Sequence, residues 1–101
     1  MSIRCILSID ELDIKSDNKY LLYFYTTWSN FHSYIFNLLK KFSIKYKNIN
    51  VLCIDVEYLK NTQSMYEITH VPSFVDICDM KETRYSSLEE CIEYLSKKGI
   101  K

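Results

Sequence analysis

Two short, nearly continuous apolar runs constrain this chain most: Tyr20-Leu21-Leu22-Tyr23-Phe24-Tyr25 and Val51-Leu52-Cys53-Ile54-Asp55-Val56. With apolar residues at consecutive positions, neither run has a polar face to offer water. Each therefore suits a strand covered on both sides, the environment of a parallel sheet's interior. Between them, Ile35, Leu38, Leu39, Phe42 and Tyr46 recur at helical spacing, which predicts a helix over 31–46 with one broad apolar face.

The flanks extend the alternation. Ile3 to Leu7 reads as a further buried strand, followed by Ser8 and Glu11 at capping-box spacing and a helix near 9–15. Polar breaks fall at 16–19 and 48–50, and a weakly amphipathic stretch over 59–66 predicts a short helix. Pro72 opens the strand Ser73-Phe74-Val75-Asp76-Ile77-Cys78, where a missing N–H does least harm. A turn over 79–82 leads into Thr83-Arg84-Tyr85. Ser87 and Glu90 then make a second capping box for a terminal helix facing inward through Leu88, Cys91, Ile92 and Leu95 and closed by Lys97, Lys98 and Gly99. The order βαβαβα, then a hairpin and a helix, predicts one α/β domain over 1–101. Its expected architecture is a mixed sheet of three parallel strands plus a C-terminal antiparallel hairpin, with helices on both faces.

Composition removes several function classes. Thirteen Lys plus Arg balance thirteen Asp plus Glu, so no nucleic acid or anionic membrane partner is expected. Lys40, Lys41, Lys45 and Lys47 read as a solvated helix face. No run reaches the roughly 20 apolar residues of a membrane span, and the first residues lack a secretory pattern, so the cytosol or nucleus is the expected compartment. Cys5, Cys53, Cys78 and Cys91 show neither a Cys-x-x-Cys pair nor a zinc rhythm with His32 and His70. Four buried free thiols, no metal and no cofactor are the expectation.

Two sequence blocks carry a resemblance. Tyr23-Phe24-Tyr25-Thr26-Thr27-Trp28-Ser29-Asn30-Phe31-His32 is similar to the strand-to-helix corner of thioredoxins and protein disulfide isomerases, where Phe-Tyr-x-x-Trp precedes Cys-x-x-Cys. Ile68-Thr69-His70-Val71-Pro72-Ser73-Phe74 is similar to the family's Ile-x-x-Val-Pro-Thr-Phe, whose Val–Pro bond is cis, and Ile54-Asp55-Val56-Glu57 resembles its Val-Asp-Val-Asp. The resemblance to the thioredoxin-like superfamily runs from about Ile3 to Leu95 and implies that superfamily's fold.

It also implies a lost chemistry. Ser29 and His32 stand at the two cysteine positions, and Tyr23 and Cys53 stand where the family often has a buried acid and a lysine. Disulfide exchange needs a thiolate at the helix N-terminus and a second thiol to resolve the mixed disulfide; Ser29 and His32 supply neither. A Ser29–His32 hydrolytic pair lacks an orienting acid. Cys53, expected in the sheet below the motif, would have its thiolate suppressed by apolar surroundings.

What the resemblance leaves is a surface. The family's cis-proline segment exposes backbone N–H and C=O groups to an extended peptide, which makes Trp28, Ser29, Phe31, His32, His70, Val71 and Pro72 the candidate groove. The expected function is a redox-inactive protein- or peptide-binding module, possible as a subunit of a larger assembly, and not an enzyme. The competing reading is a weak thiol-dependent oxidoreductase or glutathione-binding protein using Cys53 or Cys78. In a third, exposed aromatics among Tyr34, Tyr46, Tyr58, Tyr66 and Tyr94 form an assembly interface on the outer helices. If His32 and His70 converge near Pro72, they give a pH-dependent contact.

Overall fold

The computed structural model describes residues 3–15 and 17–100. Among them run β1 (Ile3–Cys5), β2 (Lys19–Tyr25), α1 (His32–Lys45), β3 (Ile49–Asp55), α2 (Asn61–Met65), β4 (Ser73–Cys78), β5 (Lys81–Tyr85) and α3 (Leu88–Lys97). The sheet order is β1-β3-β2-β4-β5. Strands β1, β3 and β2 are parallel, and β4 and β5 continue the sheet antiparallel, as expected. The most apolar run, β2, lies at the centre, with Leu21, Leu22, Tyr23 and Phe24 fully buried.

Period-two alternation splits these strands between two cores. Leu21, Tyr23, Val51, Cys53 and Phe74 face α1 and α3, meeting Ile35, Leu39, Phe42, Cys91 and Leu95. Leu22, Phe24, Leu52, Ile54, Val75 and Ile77 face the other way, against Ile6, Val56, Tyr66 and Ile68. This second face has thinner cover, because α2 is only five residues long and its flanks, Leu59, Tyr66 and Ile68, do most of the packing.

Several boundaries differ from the sequence reading. The helix expected near 9–15 is a single 3-10 turn, Ile9–Glu11. Its capping box does form, with Glu11 Oε2 accepting from the Ser8 N–H at 3.1 Å. The turn stops because Leu12 and Ile14 both pack on the second core, and residues two apart share a face only in extended chain. The hairpin is tighter than expected: Asp79 and Met80, at φ 52° and 66°, complete the turn, and β5 begins at Lys81. Two consecutive left-handed residues match the twist of the flanking strands.

The cysteine expectation is corrected too. Cys53 and Cys91 are buried, but Cys78 is only partly covered and Cys5 is exposed. Both lie at strand ends near the sheet's margin, Cys5 on the three-residue edge strand β1 and Cys78 at the turn.

The end of α3 ties two helices together. Gly99, at φ +77°, closes a Schellman motif in which the Ile100 N–H reaches the Leu95 carbonyl and the Gly99 N–H reaches that of Ser96, both at 2.9 Å. The freed Lys98 carbonyl accepts from Lys45 Nζ at 2.9 Å and from the Tyr46 hydroxyl at 2.8 Å, both at the end of α1. A Cβ on Gly99 would sit 2.7 Å from Lys45 Nζ. Gly99→Ala is therefore expected to cost about 1–2 kcal/mol in urea unfolding, through left-handed strain and the displaced lysine. Gly99→Asn, which tolerates that φ better, should lose less; equal losses would contradict the backbone argument.

Candidate functional site

The C-terminal ends of the central parallel strands β2 and β3 converge with the loop before β4. After β3, Asp55 Oδ1 accepts from the Glu57 N–H at 2.9 Å and the Tyr58 N–H at 3.3 Å, turning the chain sharply. The Val56 N–H bonds the Tyr25 carbonyl at 3.0 Å, which holds Val56 beside the end of β2. On the other side, the Ser73 hydroxyl donates to the His70 carbonyl, and the Val71–Pro72 bond is cis.

Between these segments lies a groove of about 370 Å³, lined by Thr26, Trp28, Val56, Glu57, Lys60, Gln63, Thr69, His70 and Val71. Trp28 is 68% exposed, so its indole presents most of its surface to solvent. Thr26 is its opposite. It is 3% exposed, and its Oγ1 is the buried side-chain oxygen without a hydrogen-bond partner among the described residues. Buried hydroxyls are nearly always paired, so Thr26 is an exception, a cost to the free fold at an oxygen closed off from the groove.

Of the residues expected in the groove, Trp28, His70 and Val71 line it, whereas Ser29, Phe31, His32 and Pro72 do not. Pro72 is buried and Phe31 is exposed at the start of α1. The structure adds Thr26, Val56, Glu57, Lys60 and Gln63. One signal was available for three of these: Thr26, Val56 and Glu57 directly follow the two central strands, and ligands of parallel sheets gather at the strands' C-terminal ends. Lys60 and Gln63 carried no comparable sign, since the fold of the α2 segment decides where they point.

His32 belongs to a different cluster. Its ring stacks on Tyr25 at 4.3 Å between centroids, its Nδ1 lies 3.1 Å from the Tyr23 hydroxyl, and Phe36 borders it at 5.7 Å. With its proton on Nε2, neutral His32 accepts from Tyr23. His70 instead bonds the Thr69 hydroxyl, at 2.9 Å, so the two histidines serve separate places. Nor does Ser29 gain a base, because His32 Nδ1 is engaged by Tyr23.

Electrostatics follow from burial. The Tyr23 hydroxyl and the Cys53 thiol are both pushed well above their ordinary ranges, chiefly by desolvation. Tyr25 is pushed up to about 12, first by burial and then by Cys5, Cys53 and Asp55. Burial lowers the His32 pKa below its ordinary 6.5, against an opposing pull from Asp55. The unfolded chain therefore takes up this proton first as pH falls. The contribution is complete above the unfolded value and is lost as pH drops through the folded one. The urea midpoint should decline as pH falls below about 6.5. His32→Phe, which keeps a ring on Tyr25, should flatten that decline; an unchanged slope would remove His32 as its source.

The arrangement matches known structures. The oxidised thioredoxin O2 of Arabidopsis thaliana superposes with a TM-score of 0.83 at 14% identity, covering 99% of this chain and 96% of that one. The chain has the thioredoxin fold. The oxidised mitochondrial thioredoxin 3 of Saccharomyces cerevisiae matches with a TM-score of 0.80 at 24% identity, over 98% of this chain and 93% of that one. A cysteine-to-serine mutant thioredoxin of Entamoeba histolytica matches with a TM-score of 0.79 at 20% identity, over 95% of this chain and 98% of that one. No family model and no curated protein matches the sequence. Within the thioredoxin fold, the groove lies between the β2–α1 corner and the loop before β4, and no cysteine lines it. No described helix is long and apolar enough to cross a membrane.

Proposed function

We propose that this thioredoxin-fold chain binds an extended segment of a partner protein in the Trp28–Val71 groove and does not exchange disulfides there. The observation that carries the reading is a groove between the β2–α1 corner and the cis-proline loop whose rim is an exposed tryptophan. An extended peptide offers an apolar side chain to cover the indole and a main chain to lie along the loop before β4. Glu57 and Lys60 add one charge of each sign, which favours a polar main chain over a strongly charged ligand.

The chemistry at the head of α1 supports a non-catalytic role. A serine and a stacked, desolvated histidine stand where the resemblance puts thiols, and Tyr23 fills the space beneath with a hydroxyl that keeps its proton. Cys53, the thiol below, is fully buried with its thiolate strongly disfavoured, which weighs against a displaced oxidoreductase.

Two measurements test the proposal. Insulin reduction, driven by thioredoxin reductase or by glutathione, should run no faster than without the protein, and robust turnover would overturn the non-redox half. For binding, Trp28 is the single tryptophan, so its fluorescence reports the groove directly. Extended peptides selected from a display library should shift its emission to the blue on titration. Selected peptides that bind without changing Trp28 emission would place the interface elsewhere.

A further inference from the structure

A second pair of side chains lies outside the groove and has no part in that function. In the parallel ladder of β1 and β3, Cys5 is the register partner of Cys53. Cys53 pairs in turn with Tyr23, and Tyr23 with Phe74, so the two thiols begin a row that crosses the sheet on its α1 side. In-register parallel neighbours project to the same face, and adjacent strands run about 4.7–4.9 Å apart. That spacing falls inside the roughly 4.4–6.8 Å Cα window of a disulfide. The two side chains are near enough that Cys5 adds to the upward push that burial gives the Cys53 thiol.

Their exposure is unequal. Cys5 is exposed, on an edge strand of three residues paired on one side only, while Cys53 is fully buried. Any dissolved oxidant meets Cys5 before the fully buried Cys53. The short edge strand supplies the small movement needed to bring the sulfurs into bonding geometry.

We propose that Cys5 and Cys53 are a cross-strand dithiol that closes to a disulfide when a low-molecular-weight disulfide such as glutathione disulfide reaches Cys5. In the first step the Cys5 thiolate attacks one glutathione sulfur, forms the mixed disulfide and expels glutathione thiolate. In the second, slow because burial holds the Cys53 thiol protonated, Cys53 gives up its proton to solvent, its thiolate attacks Cys5 Sγ, the Cys5–glutathione bond breaks, and the released glutathione thiolate takes up a proton. Two protein thiols are oxidised and one glutathione disulfide is reduced to two glutathiones. The product staples β1 to β3. It is independent of the groove reading, because neither cysteine lines that groove.

The test starts from fully reduced protein incubated with excess glutathione disulfide, quenched with acid, blocked with N-ethylmaleimide under denaturing conditions and mapped by proteolysis and mass spectrometry. Wild type should yield a Cys5–Cys53 cross-linked peptide and a thermal midpoint raised by roughly 10 °C, as expected for a long closed loop. Cys53→Ala should retain one glutathione on Cys5, and Cys5→Ser should leave Cys53 reduced. The wild-type map decides the matter even if the Cys53 variant folds poorly. Stable glutathione on wild-type Cys5 with Cys53 still open to alkylation, or no reaction at either residue, would overturn the proposal.

Discussion

Tyr23→Ala is expected to lower folding stability by about 4 kcal/mol, in the range for removing a fully buried aromatic ring. Tyr23 has no exposed surface and sits in the middle strand. Its ring stacks on Tyr25 at 5.1 Å, meets Phe74 edge-on at 5.7 Å and lies 5.9 Å from His32. Truncation would open a cavity between the sheet and α1, and His32 Nδ1 would lose the hydroxyl 3.1 Å away. Tyr23→Phe separates these effects, since it keeps the ring and removes only the hydroxyl, a loss of about 1 kcal/mol. Urea unfolding of the two variants, read as midpoints at a constant slope, gives both numbers. Equal losses would mean that the hydrogen bond, and not the ring, holds this part of the core.

Trp28→Ala is expected to weaken a groove-binding peptide about 30-fold while moving stability by less than about 0.5 kcal/mol. An exposed tryptophan contributes little to folding but forms the kind of anchor whose loss costs about 2 kcal/mol of binding or more. Thr26→Val should behave differently. Removing a buried hydroxyl with no partner should stabilise the free protein by about 1 kcal/mol, because the desolvation it suffers is no longer borne. The same change should leave peptide affinity nearly unaltered, since that oxygen is closed off from the groove. Calorimetric titration of both variants with one selected peptide, beside their urea midpoints, checks the pair. A Thr26→Val protein that binds the peptide much more weakly than wild type would show that the hydroxyl is reached from the groove after all.

The fold was legible because burial leaves a local trace. The run from Tyr20 to Tyr25 is apolar on both alternating faces, and it became the central strand; α1 followed from the spacing of Ile35, Leu39 and Phe42 to within a residue at each end. Where the local signal was weak, tertiary packing overrode it. A good capping box at Ser8 and Glu11 started a helical turn, but Leu12 and Ile14 were drawn to the sheet in extended chain. The candidate groove was only partly legible. Trp28, His70 and Val71 stand in conspicuous blocks, but Phe31 and His32, in the same block as Trp28, do not line the groove once α1 begins.

Sequence alone determined which segments become strands, that the second of them is the sheet's centre, and that no thiol stands at Ser29 or His32. All three depend on residue identity and on periodicities of two or about 3.6, which are written within a few positions of one another. Only the tertiary structure decided that His32 is enclosed by Tyr23 and Tyr25, that the Thr26 hydroxyl is buried without a partner beside the groove, and that an exposed Cys5 pairs in register with a buried Cys53. Those facts join residues far apart in the chain through the order and register of neighbouring strands. Strand order and register are set by how the crossovers pack, which no local window of sequence contains.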